Sequence, residues 1–257
     1  MLNGLNPQEP PALIYMDKPV MSASTVPLES LAKQSISKAC LVKWLLLTPA
    51  ALSGVIAVIV TLCITGWYTG MRLEGMPQHH GSIPAHVRNI ILPTGTIVGE
   101  WFTVWLWCRI FRKTDTFASL FQTRTKRLWM ELGIGFAAAA VLVCLATLLH
   151  APAPQWSRPL IVLTALTAGF CEEFLFRGFL INIIRRAGLG WTAQILLSSA
   201  AFAVGHGYMG PWGIAWAGFV GLLFGAITVW RGNVWATVTA HALVDLCVML
   251  RLFSWMV

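Results

Sequence analysis

The apolar run from Pro159 to Ile184 carries Glu172, Glu173 and Arg177 near its middle, in the stretch Gly169-Phe-Cys-Glu-Glu-Phe-Leu-Phe-Arg-Gly178. The run is long enough to cross a bilayer. A charged side chain at that depth costs about 3 kcal/mol on insertion scales, so intramembrane ionisable residues default to function. One glutamate and one arginine would suffice to pin two helices together; two carboxylates and one arginine leave an acid over. Helical geometry indicates which one. Glu173 and Arg177 are i,i+4 with the glutamate on the N-terminal side, the favourable order. Glu172 points about 100° away from Glu173 and about 140° away from Arg177. Glu173 is therefore expected to be neutralised by Arg177, which leaves Glu172 free for chemistry.

The surroundings of this stretch are those of a membrane protein. Of 257 residues, 57% are hydrophobic and 11% charged, against about 25% charged in soluble domains. The net charge of +8 would suit a nucleic-acid partner, but the basic residues sit between apolar segments, where they set orientation. No nucleic-acid partner is expected. The six cysteines, at 40, 63, 108, 144, 171 and 247, show neither zinc-site nor disulfide spacing and read as small apolar packers. Residues 1–43 are polar, hold four lysines and contain no signal-peptide core. They are expected to form a mobile tail, with a short amphipathic helix near 28–38.

Apolar segments follow at 44–67, 89–110, 129–149, 159–184, 191–207, 212–230 and 233–255. Tryptophans mark many of their ends (Trp44, Trp67, Trp129, Trp191, Trp212, Trp230, Trp235, Trp255), as in an aromatic belt. The expected fold is all-α, a polytopic transmembrane bundle of about seven spans, with six to eight allowed. The 112–127 loop could add an interfacial helix around Phe117 to Phe121. With the N-terminus inside, thirteen Lys and Arg residues fall on the inner side and three on the outer. That bias sets an N-in orientation. Residues 44–150 are read as accessory helices and 159–255 as a four-helix catalytic core. Gly221-xxx-Gly225 fits ordinary close helix packing.

Depth brings a polar group together. Measured from the inner helix ends, Glu172 lies ~18 Å deep, Glu173 ~16 Å, Arg177 ~10 Å, His206 ~22 Å, His241 ~12 Å and Asp245 ~18 Å. His241 and Asp245 are i,i+4 and share a face. No Ser or Cys is clearly paired with a base, although Ser198, Ser199 and Cys171 are near in sequence. Glu172 and a neutral histidine could hold and deprotonate a water, because a carboxylate removed from bulk water is the stronger base. His241 could then donate a hydrogen bond to a developing oxyanion. The same side chains could instead form a Glu/His/His/Asp zinc site, although no HExxH is present. Glu100, ~15 Å from its inner helix end, could pair with Arg177, line the cavity or pin helices.

Glu172-Glu173-xxx-Arg177, then Phe202-xxx-His206, then His241-xxx-Asp245 after Gly-Asn-Val-Trp-Ala together resemble the CPBP family. These are the CAAX prenyl endopeptidases and bacteriocin-processing enzymes, intramembrane glutamic proteases. The resemblance covers residues 159–255. It implies that Glu172 and His206 activate water, and that His241 and position 245 form an oxyanion site. Prenyl-protein proteases have Asn at the last position, where this chain has Asp245. An ionised Asp would repel an oxyanion, so Asp245 must be protonated or else orient His241.

The combined reading is an intramembrane endopeptidase of the cell (inner) membrane that needs neither cofactor nor metal. Its expected partners are membrane lipids and a membrane-associated protein or peptide substrate, and its cavity is expected to open to the cytoplasm. Glu172 and His206 are expected within ~3–6 Å of each other, with His241 across the cavity. The rival readings are a non-catalytic binding or immunity protein of the same family and a proton-coupled transporter. Against transport, the polar residues cluster in one half of the chain and no repeat pairs the halves.

Overall fold

The computed structural model describes residues 37–73, 84–111, 125–149 and 156–252. Every apolar segment read from the sequence coincides with a helix, and no strand occurs among the described residues. The helices are α1 (Lys38–Leu73), α2 (Ala85–Phe111), α3 (Thr125–Leu148), α4 (Arg158–Glu173), α5 (Ile181–Arg186), α6 (Trp191–Gly205), α7 (Gly210–Arg231) and α8 (Trp235–Met249). The proposed amphipathic helix near 28–38 falls almost wholly outside the described residues, as does the one around Phe117 to Phe121. By length and composition, five rods can cross a membrane: α1, α2, α3, the rod from α4 to α5, and α7. The 15-residue helices α6 and α8 are equally apolar but shorter. The protein is a polytopic helical bundle.

The central rod departs from the regular helix assumed in the sequence reading. Between α4 and α5 the chain winds as a π-helix over Phe174–Leu180, beginning directly after Glu173. Such i→i+5 turns are rare and concentrate at functional sites. All seven π-helical residues are buried, so this segment is the axis of the bundle. Trp107 of α2, Trp44 of α1 and Phe179 of the π-helix meet edge to face, with centroids 5.6–6.2 Å apart. That geometry suits the aromatic quadrupoles. Trp44, placed in the aromatic belt by the sequence, thus also anchors the core. Trp129, Trp191, Trp212 and Trp230 remain exposed at helix ends, where a belt needs them.

Local sequence sets the helix ends. Pro159 and Pro211 sit in the first turns of α4 and α7, where a missing N–H costs nothing. Gly232 ends α7 in the left-handed region at φ 69°. Close approach is achieved with glycines. A Cβ at Gly169 of α4 would lie 2.7 Å from the Ala242 backbone nitrogen, and one at Gly135 of α3 would lie 2.6 Å from the Ala236 carbonyl oxygen. Helix α8 is therefore held against backbone on two sides, which fixes the height of His241. Gly221 and Gly225 of α7 face Ser199 and Ile195 of α6, the close packing their spacing suggested.

One tie at the edge of the bundle was not anticipated. Glu131 of α3 is fully buried and takes a bidentate pair from Arg231 of α7, at 2.7–3.2 Å. The sequence reading had counted Arg231 only as an orienting charge.

The glycine contact can be tested directly. Gly169→Leu should force α4 and α8 apart and cost about 1–3 kcal/mol through overpacking. Thermal unfolding in detergent should show a lowered midpoint, while Gly54→Leu, at a position with nothing within 4 Å, should leave it unchanged.

Candidate active site

Four elements supply the site. Helix α4 ends on Glu172 and Glu173, and the π-helix places Arg177 below them. Helix α6 ends at His206, and α8 carries His241 and Asp245.

Glu173 is the hub. Its Oε1 accepts from Arg177 Nη1 at 2.9 Å and from His241 Nδ1 at 2.9 Å, and both Glu173 and Arg177 are completely buried. The pairing inferred from i,i+4 spacing is therefore present, with a second donor added from α8. Arg177 is held further by the Gly221 carbonyl at 3.5 Å and by the face of Phe202, 4.3 Å from the ring centroid. A guanidinium over an aromatic face is attracted by the ring quadrupole. Phe202 also touches both histidines, with centroids 4.5 Å from His206 and 5.9 Å from His241. The phenylalanine four residues before His206 thus spaces the charged groups apart.

Glu172 turns the other way. Its Oε2 is buried and has no hydrogen-bond partner among the described residues. His206 Nε2 lies 3.7 Å from this oxygen and His241 Nε2 3.9 Å from it. These separations exceed a direct hydrogen bond, yet one water could contact all three atoms. His241 therefore approaches the same oxygen as His206.

The tautomer of His206 follows from its other nitrogen. Nδ1 lies 2.9 Å from the Phe202 carbonyl, which can only accept, so Nδ1 carries a proton and Nε2 is the nitrogen turned towards Glu172. His241 donates from Nδ1 to the Glu173 carboxylate, and its Nε2 faces Glu172 and Asp245. Asp245 Oδ2 is 3.7 Å from that Nε2, a placement suited to orienting the ring.

The remaining candidates sort clearly. Ser198 and Ser199 spend their hydroxyls on the Ile195 carbonyl at 3.3 and 2.7 Å. Cys171 is fully buried in the apolar core. Among the described residues, no three His, Cys, Asp or Glu side chains are grouped so as to hold a metal ion. Glu100 of α2 is fully buried, and its Oε2 lacks a hydrogen-bond partner among the described residues. It lies within electrostatic reach of Glu172 and Asp245, while Arg177 pairs with Glu173. Tyr208, which the sequence did not single out, stacks near His206 at 6.1 Å and is largely exposed.

Residues 154–247 match the family model described as type II CAAX prenyl endopeptidase Rce1-like. Over this stretch the chain is similar to the CAAX protease family. No curated protein and no solved structure matched the chain. The Rce1-like domain runs through α4 to α7 and into α8, so it contains Glu172, Glu173, Arg177, His206, His241 and Asp245. The match to a protease family model over 154–247, together with five membrane-length apolar rods, indicates an integral membrane protein.

Arg177→Met should leave the Glu173 carboxylate buried and half paired in this Rce1-like domain. Breaking a buried ion pair costs about 3–5 kcal/mol. The variant should therefore unfold at a much lower temperature or fail to insert, and Arg177→Lys should recover only part of the loss.

Proposed function

We propose that this protein is a glutamic-type intramembrane endopeptidase that cleaves a membrane-associated protein or peptide with a water activated by Glu172 and His206. The observation that carries the reading is the convergence of two imidazole Nε2 atoms, from α6 and α8, on the single oxygen Glu172 Oε2. In this mechanism Glu172, with the His206 lone pair beside it, takes a proton from the water as the oxygen attacks the scissile carbonyl. The carbonyl oxygen becomes an oxyanion. His241 donates to it from Nε2, its imidazolium form stabilised by the Glu173 carboxylate at Nδ1. The tetrahedral intermediate collapses when the proton held by Glu172 or His206 passes to the departing amine, which breaks the C–N bond and frees the acid. Asp245 positions His241 rather than binding the oxyanion. Residues 159–255 carry every assigned step, and the preceding helices form the supporting wall.

The substrate class is a hydrophobic or lipid-modified tail, or the membrane-proximal part of a protein, in the cell (inner) membrane. Aspartate at 245 weighs against assigning a prenylated substrate by family membership alone. The reading is metal-free because a zinc site built on Glu172 and the two Nε2 atoms would be left without a separate general base, Glu173 being committed to Arg177 and His241.

Purified wild-type protein should cleave a candidate membrane peptide. Glu172→Gln and His206→Ala should each lower turnover by about 10²–10⁴, the usual contribution of a general base. Dialysis against a chelator should leave the wild-type rate unchanged. Binding of the peptide without cleavage would favour the non-catalytic relative instead. Stoichiometric zinc whose removal ends activity and whose return restores it would overturn the metal-free mechanism.

A further inference from the structure

Helix α2 has one buried face. Glu100, Thr103, Val104 and Trp107 are buried, whereas Trp101, Phe102 and Trp105 are exposed, so Glu100 is turned into the bundle. Two contacts fix its height. Trp101 Nε1 donates to Thr167 Oγ1 at 3.3 Å and its ring stacks on Phe170 at 5.5 Å. Further along, Trp107 meets Phe179 at 6.2 Å. The contacts advance in the same order on both elements, so α2 runs parallel to the central rod and sets Glu100 within a turn (~5 Å) of the Glu172 level.

Helix α8 runs the opposite way. Gly169 lies against Ala242, while Glu173, further along the rod, takes its bond from His241, which comes earlier in α8. Asp245, one turn after His241, therefore falls back towards the level of Glu100. Glu100 is accordingly within electrostatic reach of both Glu172 and Asp245, and Cys171 and Tyr208 are in turn within reach of Glu100.

The charges around it do not balance. Among the described residues, the site holds four carboxyls, Glu100, Glu172, Glu173 and Asp245, against the guanidinium of Arg177 and the imidazoles of His206 and His241. Arg177 and His241 both donate to Glu173, and His206 Nδ1 faces a backbone carbonyl. Glu100 is 1% exposed, and its Oε2 has no hydrogen-bond partner among the described residues. A carboxylate sealed in this way beside a second carboxylate is costly as an anion, and of two such neighbours one keeps a proton. Glu172 has two imidazoles near its oxygen and Glu100 has none.

Resting on the hydrolase reading above, we propose that Glu100 is a positioning residue of the same site: it stands as a neutral carboxylic acid and directs its O–H to Glu172, directly or through one water, so that Glu172 remains the ionised base. Glu100 keeps its proton throughout turnover and acts only through Glu172. Helix α2 lies outside the matched stretch 154–247, so that stretch alone holds an incomplete site.

Infrared spectroscopy of the purified full-length protein reads the protonation directly, because a protonated carboxyl stretches at higher frequency than a carboxylate or an amide. The wild type should show such a band that is absent from Glu100→Gln and displaced in Glu172→Gln. Survival of every protonated-carboxyl band in Glu100→Gln overturns the proposal, as does a Glu100 band that Glu172→Gln leaves unmoved. Cleavage of a membrane peptide reads the role. Glu100→Leu, of similar volume but without a donor, should turn over about tenfold more slowly, as expected for one lost bond to a charged partner. Its thermal midpoint should not fall, and Glu100→Gln, which keeps a donor, should restore most of the rate. Wild-type turnover by Glu100→Leu would reduce Glu100 to packing and overturn the positioning role. The expected infrared bands without cleavage by any form sink the hydrolase reading and leave the Glu100–Glu172 pairing standing. Cleavage by the wild type without the Glu100 band sinks only this inference.

Discussion

A carboxylate with two donors, sealed from water, is the constraint on which this structure depends. Glu173 could not remain ionised at zero exposure without Arg177 and His241, each 2.9 Å from the same oxygen. Truncating any one of them would strand charge or leave a polar atom bare in low dielectric. The bonds also fix geometry. They join the central rod to α8, and the Arg177 contact with the Gly221 carbonyl extends the tie to α7. Backbone contact at Gly169 and Gly135 then leaves α8 little freedom to slide. The position of His241 follows from packing and charge together.

Adjacent glutamates can have different fates because the helix separates their directions. Glu173 is consumed by structure, whereas Glu172 projects towards the C-terminal end of α6 and the middle of α8. The change of winding to a π-helix begins at the next residue, Phe174. It buries every residue of the following seven, so one side of the polar group is closed by apolar packing. The chemically interesting oxygen sits at the boundary between that plug and the more open residues His206 and Asp245.

Much of this was legible in the sequence where the signal was local. The Glu173–Arg177 pair is an i,i+4 contact and needed only helical geometry. The helices followed from hydropathy, and the Rce1-like match over 154–247 agrees with the resemblance carried by three spaced motifs. Other features depend on partners far along the chain. The Glu131–Arg231 pair had no local signal because its members are a hundred residues apart. Glu100 offered pairing with Arg177 as one choice, and only the packing of α2 sends it towards Glu172 and Asp245. The π-helix has no compositional marker in Phe-Leu-Phe-Arg-Gly-Phe-Leu, and tertiary burial decides it.

The division of labour between the two glutamates is tested most directly by thermal unfolding of Glu172→Gln and Glu173→Gln, measured side by side in the same detergent. The account predicts that Glu172→Gln unfolds close to the wild type. Glu173→Gln, which leaves Arg177 and His241 without their shared carboxylate, should lose about 3–5 kcal/mol. Equal losses in the two variants, or a larger loss at Glu172, would contradict it.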